Sequence, residues 1–337
     1  MNRDNVPFVL PSEIRLSVAM AKYFGDPDAD AHLRRPEIWT GKVIAAFRNE
    51  DSAGDPLPWP KTHAQIRVRS GEVSLWPGIS GHGKSIATSQ VALHLVSLGR
   101  RVAVASLEMQ PWNTLKRMAR QAAGSAMPAE SFLINFCDWL GARQFLIYDQ
   151  HGRAEWRHMA NVVRYAAIEL GVQHFLIDSL MMCVAGEDDY NGQKDFVTAL
   201  CSVAHDTGCH IHLVHHARKL RDESDIPGKF DARGSGTITD QVDNVFTFWR
   251  NKAKEIEREN AARVSAPFDE TANPDALLIC DKQRNGEWEG RVRLWWDGPS
   301  MSYRGVPERP RFLGYEITAP DAMREPGADE DERDIAA

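Results

Sequence analysis

Two hydrophobic periods alternate along this 337-residue chain. Between Glu72 and about Ile317, short apolar runs take turns with longer stretches whose apolar positions recur every three or four residues. The short runs predict strands at Val73–Trp76, Val102–Leu107, Phe145–Tyr148, His174–Asp178, Ile211–His215, Val245–Trp249, Ala276–Asp281 and Val292–Trp296. Among the longer stretches, Ser85–Leu98 aligns Ala87, Val91, Leu95 and Leu98 on one helical face and stops at Gly99. Trp156–Leu170 aligns Met159, Val163, Ala166 and Leu170, and Gln193–Asp206 aligns Phe196, Leu200 and Val203. Such alternation predicts an α/β fold, a mostly parallel sheet covered by helices. The last strands follow one another without helices, which predicts an antiparallel edge.

The ends of the chain read differently. Residues 1–55 predict a short helical N-terminal extension and linker, with helices near Glu13–Phe24 and Glu37–Arg48 separated by the turn-rich Gly25–Asp30. Asp51–Pro60 reads as a linker, because Pro56, Pro58 and Pro60 exclude helix. The main domain is expected over 56–318, and an acidic, disordered tail over 319–337. That tail changes the meaning of the net charge of −7: residues 321–337 carry seven acids against Arg324 and Arg333, so the remainder is close to neutral. A local basic loop could therefore still hold nucleic acid. No apolar run approaches the roughly 20 residues of a membrane span, and the N-terminus lacks a signal-peptide layout. The five cysteines are odd in number, widely spaced and without a C-x-x-C pair, the usage of a reduced, cytoplasmic protein.

Chemistry enters at Gly78-Ile-Ser-Gly-His-Gly-Lys-Ser85, a full G-x-x-x-x-G-K-S phosphate-binding loop between a predicted strand and a predicted helix. Gly78, Gly81 and Gly83, with His82 between the last two, would let backbone N–H groups curl around phosphate oxygens at a helix N-terminus. Lys84 would reach the β- and γ-phosphates, and Ser85 would place its hydroxyl on Mg²⁺. The expected cofactors are thus ATP or another NTP, with Mg²⁺. His174-Phe-Leu-Ile-Asp178 ends an apolar run on a carboxylate, as a second Mg²⁺-side acid requires. Val102–Glu108 ends another run on an acid at the strand edge where phosphates gather, making Glu108 the expected general base. The cluster His210, His212, His215 and His216 is dense enough to raise the question of a metal, but no cysteine or carboxylate cluster at metal spacing accompanies it.

Further segments occur in a fixed order: Ser106–Met109, His215–Lys219, Arg233–Gly236 with Asp243–Phe246, Trp249–Lys252 and Lys282–Gly286. Over roughly residues 56–305 this series resembles the RecA-type motor domain of hexameric replicative helicases, the family of DnaB, Twinkle and phage primase–helicases. The resemblance implies a RecA-like P-loop core in a homo-hexameric ring that hydrolyses NTP while translocating on single-stranded DNA, with a separate primase or loader as a further partner. It assigns γ-phosphate sensing to His216, and to Lys282 and Arg284 a reach into the neighbouring subunit's site. Arg117, Arg250 and Trp296 are transferred as base-pocket residues, since planar guanidinium and indole groups stack on purines. Arg218, Lys219, Arg221 and Lys229, in the loop after His216, are expected to grip DNA phosphates. One departure stands: where the family commonly has Gln after Gly-Ser-Gly, this chain has Asp240 followed by Gln241. The rival expectation is a recombinase-like or loader-like DNA-binding ATPase that does not unwind duplex.

Overall fold

Apolar runs that offer hydrophobic side chains to both faces can lie only inside a sheet covered on both sides. The computed structural model, which describes residues 35–48, 54–186, 188–216, 226 and 236–307, shows this arrangement. The chain divides into two units, Met1–Ala53 and Gly54–Ala337. In the first, the described residues form a 3-10 turn, Pro36–Trp39, running into helix α1, Thr40–Phe47. The predicted helix at Glu13–Phe24 and the acidic tail lie outside the described residues.

The second unit opens with two short antiparallel strands, β1 (Asp55–Pro56) and β2 (Arg67–Val68). The phosphate-loop strand β3 (Val73–Gly78) then leads into helix α2 (Lys84–Ser97). Strand β4 (Val102–Ser106), helices α3 (Pro111–Ala123) and α4 (Glu130–Ala142), and the short strand β5 (Leu146–Ile147) follow. Next come α5 (Trp156–Glu169), β6 (His174–Asp178), α6 (Tyr190–Thr207), β7 (His210–His216) and α7 (Gly236–Gln241). The described part closes with β8 (Asn244–Arg250), α8 (Lys252–Arg263), β9 (Ala276–Gln283), β10 (Gly290–Asp297) and β11 (Ser302–Arg304).

Nine strands form one sheet in the order β5-β4-β6-β7-β3-β8-β9-β10-β11. From β5 to β8 every pairing is parallel, and from β8 to β11 every pairing is antiparallel. This is the fold class that the hydrophobic pattern predicts. Strand alternation sorts the core into two layers. Trp76, Val104, Leu176 and Val214 pack with Val91, Leu95, Met118 and Trp139 of α2, α3 and α4 on one face. Leu75, Ala105, Ile177 and Leu213 pack with Met159, Val163, Phe196 and Leu200 of α5 and α6 on the other.

Asp51–Pro60 is more than a linker over its second half. Leu57 and Trp59 are fully buried in the α2 layer, and the Trp59 indole N–H donates to the Tyr303 carbonyl at 2.9 Å. Proline bars helix there without barring packing. At the N-terminal ends of the central strands sits a buried polar network. His174, His210 and His212 stack within 4.5–5.5 Å of one another, and His174 Nε2 meets the Asp55 carboxylate at 2.9 Å. Burial pushes His210 down to about 3 and His212 well below its ordinary value. Among the described residues no helix is long and apolar enough to cross a membrane.

Candidate nucleotide site

In an open parallel sheet, the groups that meet a ligand gather beyond the carboxyl ends of the strands. Here β3, β4, β6 and β7 end on one side, and each delivers a polar residue. A cavity of about 200 Å³ forms there, lined by Gly81, Gly83, Lys84, Ser85, Glu108, Asp178, His216 and Arg117. Its floor is the phosphate loop between β3 and α2. Gly83 has φ +90°, a left-handed conformation that side chains resist. A Cβ at that position would run into the Tyr303 hydroxyl, so the loop also needs glycine for space. At Gly78 a Cβ would run into the Phe248 carbonyl of β8.

Lys84 is 5 % exposed and folds back over the loop, donating to the carbonyls of Gly78 (2.8 Å) and Ile79 (3.0 Å). Burial lowers it to about 8, against the opposing pull of Asp178 and Glu108. Asp178 closes β6 and is 6 % exposed. Burial, reinforced by the nearby Glu108, raises its carboxyl above the usual range, while the Ser85 hydroxyl hydrogen-bonds to it. A buried carboxylate beside a hydroxyl, facing a phosphate-sized cavity, is a hard-oxygen donor set that fits Mg²⁺. Ser85 and Asp178 are the residues that would hold it.

Glu108 projects past the end of β4. Its Oε1 accepts from the Ser179 hydroxyl at 2.6 Å and lies 3.2 Å from His216 Nε2 at the end of β7. The His216 bond is the largest influence on it. With Ser179 and Lys84, and against burial, it holds Glu108 down at about 2. Arg117, reaching in from α3, stands beside Ser89 and Met109. The structure thus places Arg117 in the phosphate cavity, away from the base-pocket role transferred to it, because α3 packs over the C-terminal ends of β4 and β6. Arg250 ends β8; its backbone N–H donates to His82 Nδ1 at 3.2 Å, and its guanidinium pairs with Glu255. His82 itself turns inward, 1 % exposed, and burial lowers it to about 4. Trp296 lies in β10 against Tyr303, with ring centroids 5.1 Å apart.

Lys282 and Arg284 do not line this cavity. Lys282 Nζ donates to the carbonyls of Thr239, Asp240 and Val242 at 2.7–2.9 Å. Arg284 donates to the carbonyls of Asp240 and Gln241 and pairs with Asp243 at 3.3 Å. Both cations cap the C-terminal end of α7, where exposed carbonyls favour positive charge. Gln241 donates to Thr198 at 3.1 Å and Asp240 is exposed, and neither lines the cavity. Arg218, Lys219, Arg221 and Lys229 lie outside the described residues.

Two participants are absent from the motif reading. Ser179 follows Asp178 directly, so its place in a motif was visible but its partner was not. Tyr303 sits far along the chain from the loop it covers. Gln90 of α2 clamps its backbone from both sides, donating to its carbonyl (2.9 Å) and accepting from its N–H (3.0 Å).

Comparison with known proteins fits this geometry. A family model described as an AAA domain matches residues 49–222. Among solved structures, a helicase ATPase domain superposes with a TM-score of 0.65 at 16% identity, covering 79% of this chain and 98% of that one. A DnaB-like replicative helicase, solved in a study that includes its interactions with primase, superposes with a TM-score of 0.62 at 14% identity. That match covers 87% of this chain and 76% of the other.

Proposed function

Because the chain belongs to the AAA-domain family and carries the RecA-type fold of DnaB-like helicase ATPase domains, we propose that it is an NTP-driven DNA helicase. The observation that carries this reading is the convergence of Lys84, Ser85, Glu108, Asp178 and His216 on one cavity from four strand ends and the loop between them. The backbone N–H groups of the loop and the Lys84 ammonium bind the β- and γ-phosphates. Mg²⁺, when bound, neutralises charge developing on the phosphate oxygens. Glu108 takes a proton from a water whose oxygen bonds to the γ-phosphorus. The bond to the bridging oxygen breaks, and its electron pair stays with the nucleoside diphosphate. A carboxylate held at about 2 is a weak base. When His216 turns from Glu108 to the γ-phosphate, Glu108 loses its largest acidifying contact and becomes a better acceptor.

The same reading gives the remaining residues their roles. Arg117, lining the phosphate cavity, compensates phosphate charge. Arg250, joined to the loop through His82, flanks the nucleotide. Lys282 and Arg284 serve a neighbouring subunit's γ-phosphate in a ring of identical chains. Arg218, Lys219, Arg221 and Lys229 contact single-stranded DNA, and a primase or loader is a further partner. Turnover measured with and without single-stranded DNA, beside unwinding of a forked duplex, tests the proposal. DNA-stimulated hydrolysis with strand separation is the expected result. Stimulated hydrolysis without separation would favour a clamp that does not unwind, and hydrolysis indifferent to DNA would remove the DNA-motor reading.

A further inference from the structure

Ser179 is fully buried, and a buried hydroxyl is costly unless it has a partner. Its partner is the carboxylate proposed as the general base. The Ser179 hydroxyl donates to Glu108 Oε1 at 2.6 Å, shorter than the 3.2 Å contact from His216 to the same oxygen. The two contacts differ in how firmly they are anchored. Ser179 sits where β6 ends. There the β4–β6 pairing, with Ser106 opposite Asp178, is extended by a bond from the Leu107 N–H to the Asp178 carbonyl at 2.7 Å. That bond ties the residue before Glu108 to the residue before Ser179. Both partners therefore leave the sheet side by side, with little freedom between them. The backbone after Ser179 is fixed as well, since its carbonyl accepts from the Met182 N–H at 3.0 Å. His216, by contrast, is partly exposed at the last position of β7 and lines the cavity itself. A phosphate entering the cavity can draw the imidazole away from Glu108. It cannot draw away a buried serine on a neighbouring strand.

We propose that Ser179 is the positioning residue for Glu108, holding Oε1 against the sheet so that Oε2 faces the attacking water once His216 has turned to phosphate. This rests on the hydrolytic reading above and adds a residue to it. Ser179 does not touch the substrate; it acts through Glu108 and fixes one carboxylate rotamer. Proximity and orientation of this kind affect the chemical step and leave nucleotide binding alone.

Four variants of the full chain decide the matter: Ser179→Ala, Ser179→Thr, Glu108→Gln and Ser179→Ala combined with Glu108→Gln. Each is assayed for ATP turnover with Mg²⁺ and for ATP binding, with thermal melting as the check on folding. Ser179→Ala should lower kcat roughly 10–100-fold, the range for losing a hydrogen bond to a charged group, while KM and ATP affinity stay near wild type. Ser179→Thr, which keeps the hydroxyl, should recover most of that loss. Where the added methyl unsettles the fold, the Ala and Gln pair still forms a complete cycle. In the Glu108→Gln background, Ser179→Ala should cost little more, because the group it positions no longer takes a proton. An unchanged kcat in Ser179→Ala would overturn the assignment. So would a raised KM at constant kcat, or a loss of full size in the Glu108→Gln background. Failure of the underlying reading looks different: there the wild-type chain shows no turnover, or Glu108→Gln turns over as wild type does.

Discussion

At Gly83 the loop has room for a hydrogen atom and no more. The φ of +90° strains any side chain, and the Tyr303 hydroxyl occupies the place of a Cβ. Gly83→Ala is therefore expected to destabilise the fold by about 1–3 kcal/mol, the range for a residue forced into a sparsely populated conformation, and to weaken ATP binding as well. Adding Tyr303→Phe removes the clashing hydroxyl but leaves the backbone strain, so the double variant should recover part of the stability. Denaturant midpoints and ATP affinity of the three chains check this; equal stability in Gly83→Ala would mean that Tyr303 does not pack on the loop. The glycine itself was legible, since its place in the motif demands it. Tyr303 was not, because no periodicity links it to a loop more than two hundred residues earlier. The same division runs through the site. Lys84, Ser85, Asp178 and Glu108 were readable from motif position and strand ends, whereas the bond from Ser179 to Glu108 depends on how β4 registers against β6.

At the scale of elements, the apolar runs foretold the strands because central parallel strands are buried on both faces. His174–Asp178 was readable end to end. What escaped were β1, β2 and β11, two or three residues each, too short to show a period of two. Leu57 and Trp59 were hidden by the prolines around them. The central strands also carry a chemical signature in their buried histidines. His210 and His212 are held neutral by burial, with the folded value of His210 near 3. The unfolded chain protonates them near the ordinary value of about 6.5. Between these limits the unfolded state binds more protons, so stability is full above about pH 6.5 and falls as the pH drops toward 3. The slope is up to about 1.4 kcal/mol per pH unit for each such histidine. Chemical denaturation at pH 7.5 and pH 5 should show a clear fall in midpoint at the lower pH. A flat profile would mean that these rings are solvated.

For the whole molecule, the placement of Lys282 and Arg284 away from their own chain's cavity is what a shared active site requires. If Arg284 serves a neighbour, Arg284→Ala chains bind ATP through an intact loop yet hydrolyse almost none, since arginine fingers contribute about 10³–10⁵ in rate. Mixing Arg284→Ala with Lys84→Ala chains creates interfaces that retain both residues, and turnover should partly return. Mixed oligomers, confirmed by mass, that stay inactive would place Arg284 in service of its own chain. Ring assembly was suggested in the sequence only by resemblance, because a residue acting across an interface leaves no local pattern. The claim beneath all of this is that the cavity at the strand ends performs hydrolysis with Glu108 as its base. Glu108→Gln keeps size and hydrogen bonding while removing the proton acceptor. Its most direct test is ATP affinity measured beside single-turnover hydrolysis in that one variant. The expected result is affinity near wild type with a rate lower by about 10²–10⁴; a collapse of affinity, or an undiminished rate, would contradict it.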